Sequence, residues 1–121
     1  MFILDLKSRV PIYEQLKNRT LELIMAGVLE QDSQLPSVRS LARDLGVNPN
    51  TIQKAYQDME KEGIIYSVAG KGSFVSEKRD VIEGRKTELL QKFDEIVSQL
   101  KDCGVSADEL IKRIEEGGNG K

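Results

Sequence analysis

The stretch Asn48-Pro49-Asn50-Thr51-Ile52-Gln53-Lys54 gathers three amides, a hydroxyl and an ammonium within about two helical turns. Amide side chains match the paired donor and acceptor of an adenine edge, and hydroxyls and cations meet phosphate oxygens. The same residue types serve any solvated helix face, so composition alone leaves both readings open. Position adds to it. Asn48 is a good N-cap, because its side-chain oxygen accepts from an orphan N–H of the first turn, and Pro49 is preorganised for the first helical position. From that start Ile52, Tyr56 and Met59 fall on one face at spacings of four and three. Asn50, Lys54 and Gln57 then point the other way, with Gln53 on the flank.

The elements around this helix must hold it in place. Just upstream, LPSVRSLARDLG offers Ser37 as a cap and repeats Val38, Leu41, Ala42 and Leu45 at i, i+3, i+4, i+7, with Gly46 directly after. Two short helices joined through a glycine-containing turn form a helix-turn-helix. Earlier still, Pro11 opens PIYEQLKNRTLELIMAG, where Ile12, Leu16, Leu23 and Ile24 make a stripe and Gly27 supplies a stop, before a polar loop, VLEQDSQ. After Gly63, IIYSV and SFVS are β-prone runs separated by AGKG, which predicts a hairpin and hence a winged helix. Ile64, Tyr66, Phe74 and Val75 are expected to face inward and close the core. Lys71, between Gly70 and Gly72, stands where a loop tip approaches a phosphate closely.

Beyond the hairpin, SEKRDVIEGR reads as a flexible junction, and a long amphipathic helix follows. Its start is open, at Asp80 or at Thr87, because Gly84 interrupts the pattern. Leu89, Leu90, Phe93, Ile96, Val97 and Leu100 recur at helical spacing up to Gly104. Ser106 to Glu109 then has the capping-box spacing of a shorter helix carrying Leu110, Ile111 and Ile114. Two helices do not form a domain core alone. They need a covering surface, which is either a second copy of the chain in a twofold homodimer or the chain's own winged helix. The predicted fold is therefore mainly α: a winged helix-turn-helix of three helices plus a β-hairpin wing over 1–76, a two-helix dimerisation tail over 77–116, and a disordered end over 117–121.

Composition narrows the function. The 121 residues include no histidine and a single cysteine, Cys103, so an internal disulfide is excluded and metal or triad chemistry has few residues to use. No enzyme activity, cofactor or metal is expected, and Cys103 reads as a buried or half-buried filler. No apolar run approaches a membrane span, and MFILDLKSRV lacks the regions of a signal peptide, so a cytoplasmic location away from membranes is expected. Net charge is −2, which argues against coating nucleic acid by bulk charge. The acidity lies in the tail: residues 1–76 hold nine Lys/Arg against nine Asp/Glu, whereas 77–121 hold nine against eleven. Arg39, Arg43 and Lys54 outweigh Asp44 around the polar helix start, so binding there depends on placement.

With LPSVRSLARDLGVNPNTIQKAYQDMEKEG followed by GKGSFV, residues 9–76 resemble the GntR family of bacterial transcription regulators, and NPNT, KAY and the short two-helix tail are similar to its YtrA subfamily. The family pattern stands here as Leu35, Pro36, Ser37, Arg39, Leu41 and Ala42, with wing glycines Gly70 and Gly72. The resemblance implies a dimeric repressor that binds a double-stranded DNA operator near its own operon, often one encoding an ABC-type transporter. By position it makes Arg39 a phosphate contact, and it places DNA contacts at Asn48, Asn50, Thr51, Gln53 and Lys54. Some members read guanine with arginines where this chain has Pro49 and Gln53, so their operator does not transfer. A proline-glycine pair usual before Leu35 is replaced by Gln31 and Asp32; Asp tolerates left-handed geometry, which implies a changed loop and a retained fold. The tail is too short for the larger effector domains of other subfamilies, leaving a small-molecule effector compatible but without a located site. The competing reading is a winged-helix protein-interaction adaptor without specific DNA readout.

Overall fold

The computed structural model describes residues 2–117; of the expected disordered end, residues 118–121 lie outside that range. The chain divides into two compact units, Met1–Arg85 and Lys86–Lys121. In the first, α1 (Ile12–Met25) starts behind Pro11 and buries Leu16, Thr20, Leu21, Leu23 and Ile24. The buried stripe is wider than the apolar pattern predicts, because the Thr20 hydroxyl donates to the Leu16 carbonyl at 2.7 Å and so enters the core satisfied.

Helix α2 (Val38–Leu45) begins where the Ser37 hydroxyl accepts from the Ser40 N–H at 3.0 Å and ends at Gly46. Helix α3 (Pro49–Lys61) begins where the Asn48 side chain accepts from the Asn50 N–H at 2.8 Å, with Pro49 in its first turn. Both caps match the sequence reading. Leu41 and Ala42 of α2 pack with Ile52, Ala55, Tyr56 and Met59 of α3 in one cluster that also holds the α1 stripe. Lys17 of α1 pairs with Glu62, the C-cap of α3, at 3.1 Å, fixing the two helices end to side.

The wing is an antiparallel pair, β1 (Ile65–Val68) and β2 (Gly72–Val75), with Ile65 opposite Val75 and Tyr66 opposite Phe74. This register corrects one expectation. Side chains alternate along a strand, so the fully buried Ile65 and Val75 face the core together, and Tyr66 and Phe74 share the outer face with ring centroids 5.6 Å apart. The polar loop before α2 also does more than its composition predicts. Leu35 donates to the Ser73 carbonyl, Val75 to Ser33 and Asp32 to Val75, all at 2.8 to 2.9 Å, so its end lies along β2 as a third edge. Asp32 takes a φ of 67°, the left-handed geometry expected of it, and its carboxylate accepts from the Tyr66 hydroxyl at 2.7 Å.

Helix α4 (Lys78–Asp102) is continuous through Gly84, so SEKRDVIEGR is helical from Lys78 and is not the flexible junction its composition suggests. The physical reason is packing. Val81 is fully buried in the core of the first unit, which fixes the first turns of α4 there. Gly84 is required by proximity: a Cβ at that position would clash with the Glu62 carbonyl oxygen. In the second unit α4 ends at Asp102, two residues before Gly104, and α5 (Ala107–Glu115) starts with the Ser106 hydroxyl accepting from the Glu109 N–H at 3.2 Å. Cys103 is exposed there, contrary to its reading as a filler, since it falls at the solvated end of α4.

Candidate nucleic-acid interface

The Asn48 cap fixes where α3 starts, and the packing of its apolar face into the core fixes which side faces solvent. With Ile52, Ala55, Tyr56 and Met59 buried, Asn50, Gln53, Lys54 and Gln57 are left exposed on the remaining arc, and Thr51 is half-buried at its border. Asn48 and Ser37 are exposed too, but their side-chain oxygens are engaged as caps, so each holds its helix start as well as facing solvent. Arg39 and Arg43, one turn apart on α2, are both exposed, and neither has an ion-pair partner among the described residues. Unpaired guanidinium groups near a capped helix start are free to meet phosphate.

Two contacts position this polar face, and two more brace the wing tip. The Tyr56 hydroxyl, on the buried side of α3, donates to the Pro36 carbonyl at 2.6 Å and so ties α3 to the residue before the Ser37 cap. Burial pushes the Tyr56 phenol well above the ordinary tyrosine range, which keeps it a neutral donor. The Lys54 ammonium lies 4.7 Å from the centroid of the Tyr13 ring of α1. At the wing, Gln34 donates its amide to the Lys71 carbonyl at 2.7 Å, and the Lys71 N–H donates to Val68 at 2.9 Å. Gly70 and Gly72 have φ of 76° and 120°, and a Cβ on Gly72 would crowd the Gln34 amide at 3.0 Å. The loop tip is thus closed and braced while the Lys71 side chain points from an exposed position.

Every DNA-contact position named from the sequence lies in α2 or its cap, at the start of α3 or its cap, or at the tip of the wing, all within one unit. Sequence reasoning did not single out Tyr13 or Gln34, whose roles arise from contacts across 41 and 37 positions of chain that no local pattern encodes. A second surface stands in the other unit. Leu89, Leu90, Phe93, Ile96, Ile111 and Ile114 are exposed, Phe93 by 45% and Ile96 by 55%, while Val97, Leu100 and Leu110 are half-buried. No helix among the described residues is long and apolar enough to cross a membrane.

A family model described as bacterial regulatory proteins, gntR family, matches residues 12–75. The HTH-type transcriptional repressor YtrA of Bacillus subtilis (strain 168) is 36% identical to this chain over 118 residues, which covers 96% of this chain and 91% of that one. A solved GntR family transcriptional regulator from Listeria monocytogenes aligns with a TM-score of 0.63 and 32% identity, over 93% of this chain and 98% of its own. AraR(DBD), solved in complex with operator ORR3, aligns with a TM-score of 0.53 and 34% identity, over 61% of this chain and 89% of its own.

Proposed function

The chain belongs to the GntR family of bacterial regulatory proteins, in its YtrA-like branch, and from that membership we propose that it is a dimeric repressor reading its operator with the start of α3. The observation that carries this reading is the exposed polar arc of α3, opposite the face that buries Ile52, Ala55, Tyr56 and Met59. Asn50 and Gln53 read base edges, and Arg39, Lys54 and Lys71 meet the phosphate backbone. Ser37, Asn48 and Thr51 border that face, and Gly70 and Gly72 let the wing tip come close. A solved relative in complex with an operator supports placing DNA on this unit.

The dimer is supported by the second unit, where an apolar row from Leu89 to Ile114 is left uncovered in one chain. A second copy covers it and sets two reading helices against two half-sites. The regulated genes, on this reading, are those of the chain's own operon, with transporter genes of the ABC type among them, and the protein works in the cytoplasm. A small-molecule effector acts, if one binds, by changing the placement of the two winged helices.

The test is a titration of the full chain onto DNA from upstream of its own gene, beside a scrambled fragment, over a range of salt. The upstream fragment is expected to bind more tightly, with the logarithm of affinity falling linearly against the logarithm of salt. Equal affinity for both fragments at every salt concentration would remove sequence-specific reading.

A further inference from the structure

Lys54 lies on the exposed arc of α3, yet its ammonium is not loose: it stands 4.7 Å from the centroid of Tyr13. Tyr13 is the second residue of α1, half-buried, with its side chain packed against the hydrophobic core. The ring is therefore held by residues outside the reading face. A cation within about 6 Å of a ring centroid is attracted to the negative face of the aromatic quadrupole. Without such a partner a lysine head sweeps a wide arc on its four-carbon stem, and immobilising it on binding costs entropy.

We infer that Tyr13 is a positioning residue for DNA binding: its ring holds the Lys54 ammonium on the α1 side of α3, making Lys54 a backbone contact and leaving base reading to Asn50 and Gln53. An ammonium has three N–H donors, and the ring face occupies one direction, so the others stay free for a phosphate oxygen. A compact charge suits phosphate, which tolerates varied approach. A base edge demands paired donors and acceptors in fixed register, which the two amides supply.

The inference rests on the reading that α3 meets the operator, so the experiment separates the two. The full chain and its variants are titrated onto the fragment from upstream of its own gene, and onto single-base variants of it, over a range of salt. Lys54→Met is expected to weaken all sequences alike and to lower the salt slope by about one. Pentafluorophenylalanine at position 13 keeps the ring's shape but reverses its quadrupole; it is expected to lower affinity by about two- to ten-fold, with Tyr13→Phe retaining it. In the Lys54→Met background the same fluorinated ring should cost nothing further, because the cation it served is gone.

If the wild-type chain bound the upstream fragment no better than scrambled DNA, the proposed function would fail and this inference with it. Given specific wild-type binding, three results overturn the inference alone. They are an unchanged affinity for Lys54→Met, a Lys54→Met effect confined to one base position, and an equal loss from the fluorinated ring with and without Lys54.

Discussion

Gln53 and Arg39 are both exposed polar residues, to which the proposed reading gives different roles on DNA. A side chain that pairs with a base edge loses energy only where that base is present, whereas a cation on phosphate contributes at every sequence. Gln53→Ala is accordingly expected to cost about 1–3 kcal/mol at the cognate site and to relax preference at one position. Arg39→Ala and Lys71→Ala are expected to weaken all sequences alike and to flatten the salt dependence, measurable in the same titrations. Tyr56 acts by support. Tyr56→Phe leaves the Pro36 carbonyl without its donor, and chemical denaturation is expected to register a loss of about 1–3 kcal/mol with m unchanged. The exposure of Asn50, Gln53 and Lys54 was legible from spacing and the Asn48 cap, whereas Arg39 was singled out by the family resemblance. Tyr13 and Gln34 were not, because a side chain that braces another from a different element leaves no trace in local periodicity.

At the scale of elements, propensity and packing give opposite signs at Gly84. A glycine inside an exposed helix costs about 1 kcal/mol relative to alanine, so propensity alone favours Gly84→Ala. Here a Cβ meets the Glu62 carbonyl oxygen, which is backbone and cannot swing aside. The clash wins, and Gly84→Ala is expected to destabilise by about 1–3 kcal/mol in equilibrium unfolding. A gain in stability would mean that α4 shifts freely against the end of α3. The wing shows a related limit of sequence reading. A run such as Ile64-Ile65-Tyr66 is apolar throughout, and only the pairing of Ile65 with Val75 and Tyr66 with Phe74 decides which residues face the core. A shift of one residue exchanges the faces.

For the whole molecule, the proposed dimer sets how a deletion must be cut. Ending the chain after Ser76 would remove Val81 from the core of the first unit, so that piece is expected to be destabilised by about 1–3 kcal/mol for reasons unrelated to assembly. Ending it after Arg85 keeps Val81 and removes the exposed row from Leu89 to Ile114. That shorter chain is expected to sediment as a folded monomer and to bind half-sites weakly, losing about 100-fold or more on the whole operator through lost avidity. Phe93→Glu, a charge placed within the row, should have the same effect in the full chain. A chain ending at Arg85 that still sedimented as a dimer with full operator affinity would place the interface in the winged helix.

The sequence by itself determined the starts of α2, α3 and α5 and one loop conformation: Ser37, Asn48 and Ser106 each cap the helix assigned to them, and Asp32 takes the left-handed turn. The three caps depend on hydrogen bonds between residues two or three apart, so a short window contains their causes, and the turn rests on the tolerance of Asp for positive φ. Tertiary structure alone decided that α4 runs unbroken from Lys78, that Tyr66 lies outside and Ile65 inside, and that Lys54 rests on Tyr13. Each of those depends on close approach between residues far apart in the chain. Such an approach is set by how the elements fill a common core, and no pattern within one element specifies it.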